Sequence, residues 1–301
     1  DFPGAANSNW KEFSDSLIFT AGTLIPGLLT PVVPPSQSFL NISSNKEGNL
    51  KSGFLFRPGP GLIPLATERG FTLKSGRPLI EALQKTTQPD RTGKLYSFSC
   101  YRATEYVILL AIAEELAVTN PDLLDGLQQQ WESRAIMSGQ FHDVFLREYG
   151  SMADPLPPKF YVPGDRLWFR NPDEHSSNVE GYEGSWVFYM GEGLFTNFWK
   201  RDQPFTLTSK CVELYHWRHA TYRDAGGRLQ ISDDIVDARV AESLADERET
   251  HDILQRMLRW RDPGGVYQDG GCIDTTRECA RYVRPAHSDI RFPDCALQTP
   301  A

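Results

Sequence analysis

Basic charge, cysteine and long apolar runs are all scarce in this chain of 301 residues. The net charge is −8, and no basic patch with interleaved aromatic residues occurs, which argues against nucleic acid as a partner. The longest apolar stretch, Tyr106–Ala113, is far shorter than the ~20 residues of a membrane-spanning helix, so we expect no membrane span. The chain also shows neither a start methionine nor a signal peptide. We interpret Asp1 as a processed or excised terminus, which leaves the localisation unassigned and export permitted.

The five cysteines form an odd number and are unevenly spaced along the chain. Cys272, Cys279 and Cys295 lie near the C-terminus, and a disulfide between two of them would leave Cys100 free in an exported protein. Unlinked thiols are an equally open alternative. Zinc is disfavoured, because the six-residue gap between Cys272 and Cys279 exceeds the usual ligand spacing and no histidine pair follows at a suitable interval.

Composition and periodicity divide the chain into three segments that we expect to form one compact unit. Residues 1–90 carry much of the proline and glycine and predict an irregular wrap with short strands and one helix. Residues 91–205 predict two helices followed by an antiparallel sheet, and residues 206–301 predict mostly helices packed on that core. The elements predicted with explicit bounds are a helix over Pro78–Thr86, a strand over Lys94–Ser99, a helix from Cys100 to about Val118, a helix that begins at Asn120-Pro121-Asp122, strands over Arg166–Arg170, Ser185–Met190 and Leu194–Trp199, a helix from Thr208 past Tyr222 to near Ala225, and a charged helix that opens at Ser232-Asp233-Asp234 and continues over Asp252–Arg261.

Cys100 stands at the junction between the predicted strand Lys94–Ser99 and the apolar helix that follows. A thiol at a helix N-terminus is close to unpaired backbone N–H groups and to the positive end of the helix dipole. Both effects lower the pKa of a thiol and can also hold an oxyanion. The pattern therefore predicts a reactive cysteine, although a small buried hydrophobic residue is the alternative.

Two blocks of sequence resemble one protein family. The segment LYSFSCYRATEYVILLAIA, residues 95–113, is similar to the nucleophile region of the small calcium-independent transglutaminases of bacterial spore coats. The segment GDRLWFRNPDEHSSNVEGYEGSWVFYMGEGLF, residues 164–195, resembles that family's Gly-Asp-x-Leu-Tyr-Phe-Lys-Asn-Pro-Glu strand and the Gly-Glu-Asn-Val-x-x-x-Gly strand after it. The blocks occur in the family's order and cover about a third of the chain. The resemblance implies that Cys100 is the nucleophile.

The chain departs from the family at the nucleophile's neighbours. Ser99 stands where the family has an acidic residue, and Ser185 stands where it has the glutamate of Gly-Glu-Asn-Val. The family histidine falls near Phe198, with Asn197 beside it. Because strand side chains repeat every two residues, Glu183 is the nearest carboxylate that would share a face with Ser185.

Other side chains are candidates for proton transfer and substrate binding. His216 and His219 lie three residues apart on a predicted helix and could present an imidazole to Cys100, although packing histidines are the alternative. Trp168 and Trp186 could line a channel to the thiol, with Ser99 and Ser185 beside it, although they could equally be core residues of the sheet. His142 is placed on a strand near the core.

The sequence thus predicts an α+β fold with a transglutaminase or papain-like core, in which the nucleophile helix packs on an antiparallel sheet and extra C-terminal helices are added. The resemblance implies a protein-glutamine gamma-glutamyltransferase or a glutamine deamidase that acts through a cysteine thioester. Its partners would be a protein substrate with glutamine side chains and an amine acceptor, with protein cross-linking as one outcome. No cofactor and no metal are implied. A different cysteine hydrolase, either a protease or an amidase, and a catalytically lapsed binding or structural module are the alternatives.

Overall fold

The computed structural model describes residues 62–64, 71–88, 99–133, 138–198, 200, 203–262, 270–281, 283–284 and 287–288. Most of the predicted N-terminal wrap and the predicted strand before Ser99 lie outside the described residues. The fold is α+β, as predicted. Within the described part, no helix combines the length and the apolar character that crossing a membrane requires.

The helices include the predicted nucleophile helix almost residue for residue. In chain order they are α1 (Leu79–Thr87), α2 (Cys100–Thr119), α3 (Pro121–Ser133), α4 (Ser138–Phe145), α5 (Leu207–His216), α6 (Asp233–Ala245) and α7 (Glu247–Met257).

The strands form one six-stranded antiparallel sheet and three small hairpins. In chain order they are β1 (Leu62–Pro64), β2 (Phe71–Leu73), β3 (Leu146–Gly150), β4 (Arg166–Arg170), β5 (Gly184–Gly191), β6 (Leu194–Phe195), β7 (Phe205–Thr206), β8 (Thr221–Arg223), β9 (Leu229–Ile231), β10 (Thr276–Ala280), β11 (Val283–Arg284) and β12 (His287–Ser288). The strand order of the large sheet is β3-β10-β4-β5-β6-β7, and the hairpins pair β1 with β2, β8 with β9 and β11 with β12.

Strand β10 changes the expected division of the chain at residue 205. It pairs with β3 along its whole length and with β4 at Glu278 and Arg166, so it lies inside the large sheet. Residues from the end of the chain therefore complete the core instead of only covering it. This strand is short and reads Thr-Arg-Glu-Cys-Ala, so it carried no hydrophobic periodicity that would separate it from the neighbouring loops.

The sheet separates two hydrophobic cores. One core packs α1 to α4 against one face and includes Phe188 of β5 and Ala280 of β10. The other core packs α5 to α7 against the opposite face and includes Leu167 of β4 and Val187 of β5. The alternation of side chains along β5 thus sends Val187 and Phe188 into different cores.

The nucleophile helix α2 begins and ends where local chemistry predicts. Ser99 caps its N-terminus, since the Ser99 hydroxyl accepts the backbone N–H of Arg102 at 3.3 Å. The helix is apolar on nearly all sides and is buried along most of its length, as expected for a helix packed between other elements. Asn120 ends it and accepts the N–H of Leu123 at 3.2 Å, which starts α3.

Three secondary-structure predictions are wrong and a fourth is shifted. The strand predicted over Leu194–Trp199 ends at Phe195, and the helix predicted over Asp252–Arg261 is α7, which begins at Glu247 and ends at Met257. The helix predicted from Thr208 to beyond Tyr222 ends at His216 and leads through a 3-10 turn into the β8–β9 hairpin, where the Asp224 carboxylate accepts the N–H groups of Gly226 and Arg228. His142 lies in α4, not on a strand.

Candidate active site

Cys100 is the first residue of α2 and is half-buried beside the first hydrophobic core. Its position follows from the Ser99 cap, which sets the entry angle of the chain and orients the first turn of the helix. The thiol thus lies where the first backbone N–H groups of the helix have no helical partner.

The thiol also meets an open edge of β5. Strand β6 pairs with β5 at Tyr189 and Gly191, and Thr196 extends that pairing to Phe188. Two residues before Phe188 on β5, the N–H of Trp186 points to the same edge of the strand and donates to Cys100 Sγ at 3.5 Å. Cys100 therefore occupies the place of a missing strand partner, with a backbone donor aimed at its sulfur.

A buried arginine lies next to this contact. The Arg166 guanidinium lies over two aromatic rings. Its central carbon is 4.5 Å from the centroid of the Tyr101 ring and 4.0 Å from that of the Trp186 ring. It donates to Thr104 Oγ1 of α2 at 2.8 Å and to Glu278 Oε2 of β10 at 2.7 Å. Its remaining nitrogen, Nη2, is buried and makes no hydrogen bond among the described residues. Arg166 thus joins the nucleophile helix to the sheet by charge and by stacking.

A buried lysine supplies a second positive charge. Lys210 of α5 is fully buried, and its ammonium lies 4.0 Å from the centroid of the Phe205 ring. It donates to Glu213 Oε2 at 2.6 Å. A charge held in a poorly hydrated site acts over a longer distance than a charge in water.

These groups influence the pKa of Cys100 in opposite directions. Burial raises the pKa of the Cys100 thiol above its ordinary value, and this is the largest effect. The N–H of Trp186, the Lys210 charge and the Arg166 charge lower it by less. The sequence-based expectation of a lowered pKa is therefore wrong, because desolvation of the thiolate outweighs the helix terminus.

The two predicted substrate-binding tryptophans lie together on the α2 side of the sheet. Trp168 and Trp186 stack with 6.1 Å between their centroids, and Tyr101 meets Trp186 edge-on at 5.2 Å. Both indoles are half-buried, so part of each ring faces solvent. They form an apolar surface beside the residue whose N–H contacts Cys100.

Glu183 and Ser185 are not brought to Cys100. Ser185 is buried and lies in register with Phe169, on the face of the sheet that carries the second core. Glu183 shares that alternation, as predicted, but it is exposed before β5, with Oε1 3.4 Å from the N–H of Gly181. Both side chains therefore lie across the sheet from α2.

His216 and His219 face the C-terminal helices. Their Nδ1 atoms lie 3.0 Å apart, and His216 Nε2 lies 2.7 Å from the Ser243 hydroxyl of α6. Burial, and secondly the neighbouring imidazole, lower the pKa of His216 to about 4. One ring nitrogen of His216 thus contacts α6 and the other contacts His219 just after α5, and these contacts match the packing alternative.

The region after β6 lies beside the nucleophile helix. Phe198 is buried in the same core that Cys100 packs against, and its ring centroid is 6.3 Å from that of Phe188. Asn197 is also buried, with its amide donating to the Gln203 carbonyl at 3.0 Å. A phenyl ring in the core against which Cys100 packs therefore occupies the region where the resembled family has its histidine.

Arg166 and Lys210 were missed by the sequence reasoning. For Arg166 a signal existed, because it lies two residues before Trp168 on a predicted strand and so shares its face. Lys210 carried no such signal, since a lysine in an amphipathic helix is usually solvated.

Of the two alternatives for the C-terminal cysteines, Cys272 shows the unlinked thiol and not the disulfide. Cys272 is a free, buried thiol that donates to the Met257 carbonyl at 3.1 Å, and its sulfur lies 3.5 Å from that of Cys211 on α5. Cys295 lies outside the described residues.

Comparison with known proteins identifies the family. A protein-family model described as protein-glutamine gamma-glutamyltransferase matches residues 62–291, about three quarters of the chain. Searches of curated proteins and of solved structures found no match. The matched range contains the nucleophile helix, both resembling blocks and strand β10. The chain therefore belongs to the transglutaminase family of protein-glutamine gamma-glutamyltransferases.

Proposed function

We propose that this protein transfers the acyl group of protein glutamine side chains through a thioester at Cys100. A primary amine or water then accepts the acyl group, which yields a cross-link or a deamidated side chain. The observation that carries the proposal is the position of Cys100 at the tip of α2, half-buried, with the Trp186 N–H directed at its sulfur. Family membership supplies the substrate class.

The reaction needs a nucleophile, donors for an oxyanion and positive charge near the thiolate. In the first step the Cys100 thiolate attacks the carboxamide carbon, and the C–N bond breaks as ammonia takes up a proton and leaves. In the second step the amine nitrogen attacks the thioester, the C–S bond breaks, and the thiolate is restored as the amine loses a proton. The N–H of Trp186 and the free N–H groups of the first turn of α2 are the nearest donors for the oxyanion.

Arg166 and Lys210 offset the cost of ionising a half-buried thiol in this scheme. Both lower the pKa of Cys100, in opposition to the larger effect of burial. Glu183, His216 and His219 are left out of the scheme, because their contacts lie on the other side of the sheet. Trp168 and Trp186 keep their proposed role as the apolar wall that slows hydrolysis of the thioester.

The proposal is tested with a fluorescent primary amine, a glutamine-rich protein and a coupled assay for ammonia. We expect ammonia release by the wild-type protein and none by Cys100→Ala. Amine incorporation in addition indicates transamidation, whereas ammonia release alone indicates deamidation. Cys279→Ala is the matched control, since it removes the other half-buried thiol of the described residues and should retain activity. Equal ammonia release by wild type and Cys100→Ala would contradict the proposal.

A binding module without catalysis is the second candidate, and a specific observation favours it. Within the described part of the chain, no imidazole and no carboxylate contacts Cys100, and Phe198 is buried in the core against which Cys100 packs. A lapsed enzyme would bind glutamine-containing protein equally well as wild type and as Cys100→Ala, and would release no ammonia. Cleavage of peptide bonds that depends on Cys100 would instead indicate a hydrolase.

A further inference from the structure

Three potential metal ligands converge at the edge of the large sheet, midway along β3 and β10. They are His142 of α4, Glu148 of β3 and Glu278 of β10, and one ligand atom from each lies within 4.8 Å of the others. His142 Nδ1 lies 3.1 Å from Glu278 Oε1. We propose that these three side chains bind one divalent transition-metal cation. The proposal is independent of the acyl-transfer function.

Strand register places two like charges directly opposite each other. Glu148 pairs with Glu278 across β3 and β10, and Glu278 pairs with Arg166 across β10 and β4. Carboxylates that face each other on adjacent strands destabilise a sheet unless a positive charge lies between them. Arg166 compensates Glu278 from one side, at 2.7 Å. On the other side, the position shared by Glu148 and His142 can accept a cation.

The spacing of the ligand atoms suits a shared ion. Bonds of about 2.0–2.2 Å to nitrogen and oxygen in a tetrahedral site place neighbouring ligand atoms about 3.3–3.5 Å apart. The separation of 3.1 Å between His142 and Glu278 is close to that value. The Glu148 carboxylate, within 4.8 Å of both, needs a shift of at most about 1.5 Å to join them. Its exposure means that a change of rotamer displaces no packed neighbour.

The surroundings hold one ligand rigidly and leave the site accessible. The side chain of Glu278 is 10% exposed, and its second oxygen is held by the buried Arg166 guanidinium. Such outer hydrogen bonds orient a carboxylate and leave one oxygen for the metal. The His142 side chain is 35% exposed, so a cation can enter from the solvent side.

The donor set selects the class of cation. One imidazole and two carboxylates suit Zn²⁺ and Co²⁺, whereas Ca²⁺ and Mg²⁺ prefer oxygen ligands alone. The competing explanation is a protonated His142 that pairs with Glu278 without any metal.

The test is a titration of the full chain with Co²⁺, whose visible absorption reports the coordination geometry. Cys100→Ser is the background, so that the reactive thiol is not a ligand. We expect one Co²⁺ per chain, binding lost in His142→Ala, and affinity reduced at least ~10-fold in Glu148→Gln. His175→Ala is the matched control, because His175 is exposed and lies outside the cluster; it should bind as the background does.

Three results would overturn the proposal: no saturable binding by the background, binding unchanged in both cluster variants, or a thiolate-to-Co²⁺ charge-transfer band. Circular dichroism of each variant separates loss of the site from loss of the fold. A folded His142→Ala that no longer binds Co²⁺ supports the site. If His142→Ala unfolds, the folded Glu148→Gln decides the question alone: reduced affinity supports the site and unchanged affinity rejects it. Because metal binding is measured on a chain without the nucleophile, failure of this proposal is distinguishable from failure of the acyl-transfer proposal.

Discussion

Replacement of Arg166 by methionine tests the contact between the nucleophile helix and the sheet. The change removes the buried donor to Glu278 and to Thr104 and leaves an apolar side chain of similar length between Tyr101 and Trp186. Glu278, mostly buried, then keeps His142 as its ion-pair partner, while the Glu148 carboxylate lies opposite it in the sheet. Breaking one side of a buried ion pair costs about 3–5 kcal/mol. Since His142 remains 3.1 Å from Glu278, we expect a loss of about 3 kcal/mol of unfolding free energy.

A double-mutant cycle separates the ion pair from general damage to the core. Glu278→Gln alone leaves Arg166 buried with a weaker acceptor and should cost about 1–3 kcal/mol. The double variant Arg166→Met with Glu278→Gln buries neither charge, so its cost should be less than the sum of the two single costs by about 2 kcal/mol. The measurement is urea unfolding followed by circular dichroism and tryptophan fluorescence.

The matched control is Arg239→Met, which removes an exposed pair with Glu242 and should cost less than about 1 kcal/mol. Single costs that add to within about 0.5 kcal/mol would refute the reasoning. In that case Arg166 would stabilise the fold only through its stacking on the two rings.

Three further predictions concern the thiol, a buried histidine and a glycine. Lys210→Met should move the pH profile of Cys100 alkylation to higher pH, because a charge that lowers the thiol pKa is lost. The control Lys210→Arg keeps the charge and should leave the profile in place. An unchanged profile in Lys210→Met would show that the charge does not act on the thiol. The pKa of His216 is lowered to about 4 from 6.5, so between these pH values the unfolded chain binds more protons than the folded chain. The contribution of His216 to stability is therefore complete above pH 6.5 and is lost as the pH falls toward 4. Urea unfolding measured across that range should show a flatter pH dependence for His216→Gln than for wild type. Gly184→Ala should lower the melting temperature, because the added methyl would meet a backbone carbonyl oxygen at 2.6 Å. The control Gly126→Ala, in the interior of a helix where the methyl meets nothing, should raise stability by about 1 kcal/mol. Equal melting temperatures for Gly184→Ala and wild type would contradict the packing around β5.

Local patterns were sufficient for the elements that carry the thiol. The Ser99 cap, the apolar run behind Cys100 and the start signal at Asn120 predicted α2 and the beginning of α3 nearly to the residue. Strand β4 was predicted with its bounds. These features depend on capping and on hydrophobic periodicity, and both are properties of consecutive residues.

The neighbours of the thiol could not be read from the sequence. Glu183 was correctly placed on the face of Ser185, but alternation cannot say which of the two faces of a sheet meets α2. His216 was correctly placed on a helix face, yet that face meets Ser243 of α6. A helix pattern shows which side is apolar and not which element covers it.

The sequence by itself determined the position of Cys100 at the start of its helix, the two blocks that resemble the family and the α+β class, because each is encoded over a short stretch of chain. Only the tertiary structure decided that Arg166, Lys210 and the N–H of Trp186 act on Cys100, and that β10 enters the sheet to pair Glu278 with Glu148. These contacts join residues more than 60 positions apart. They depend on strand order and on how deeply each charge is buried, and neither is written in local periodicity.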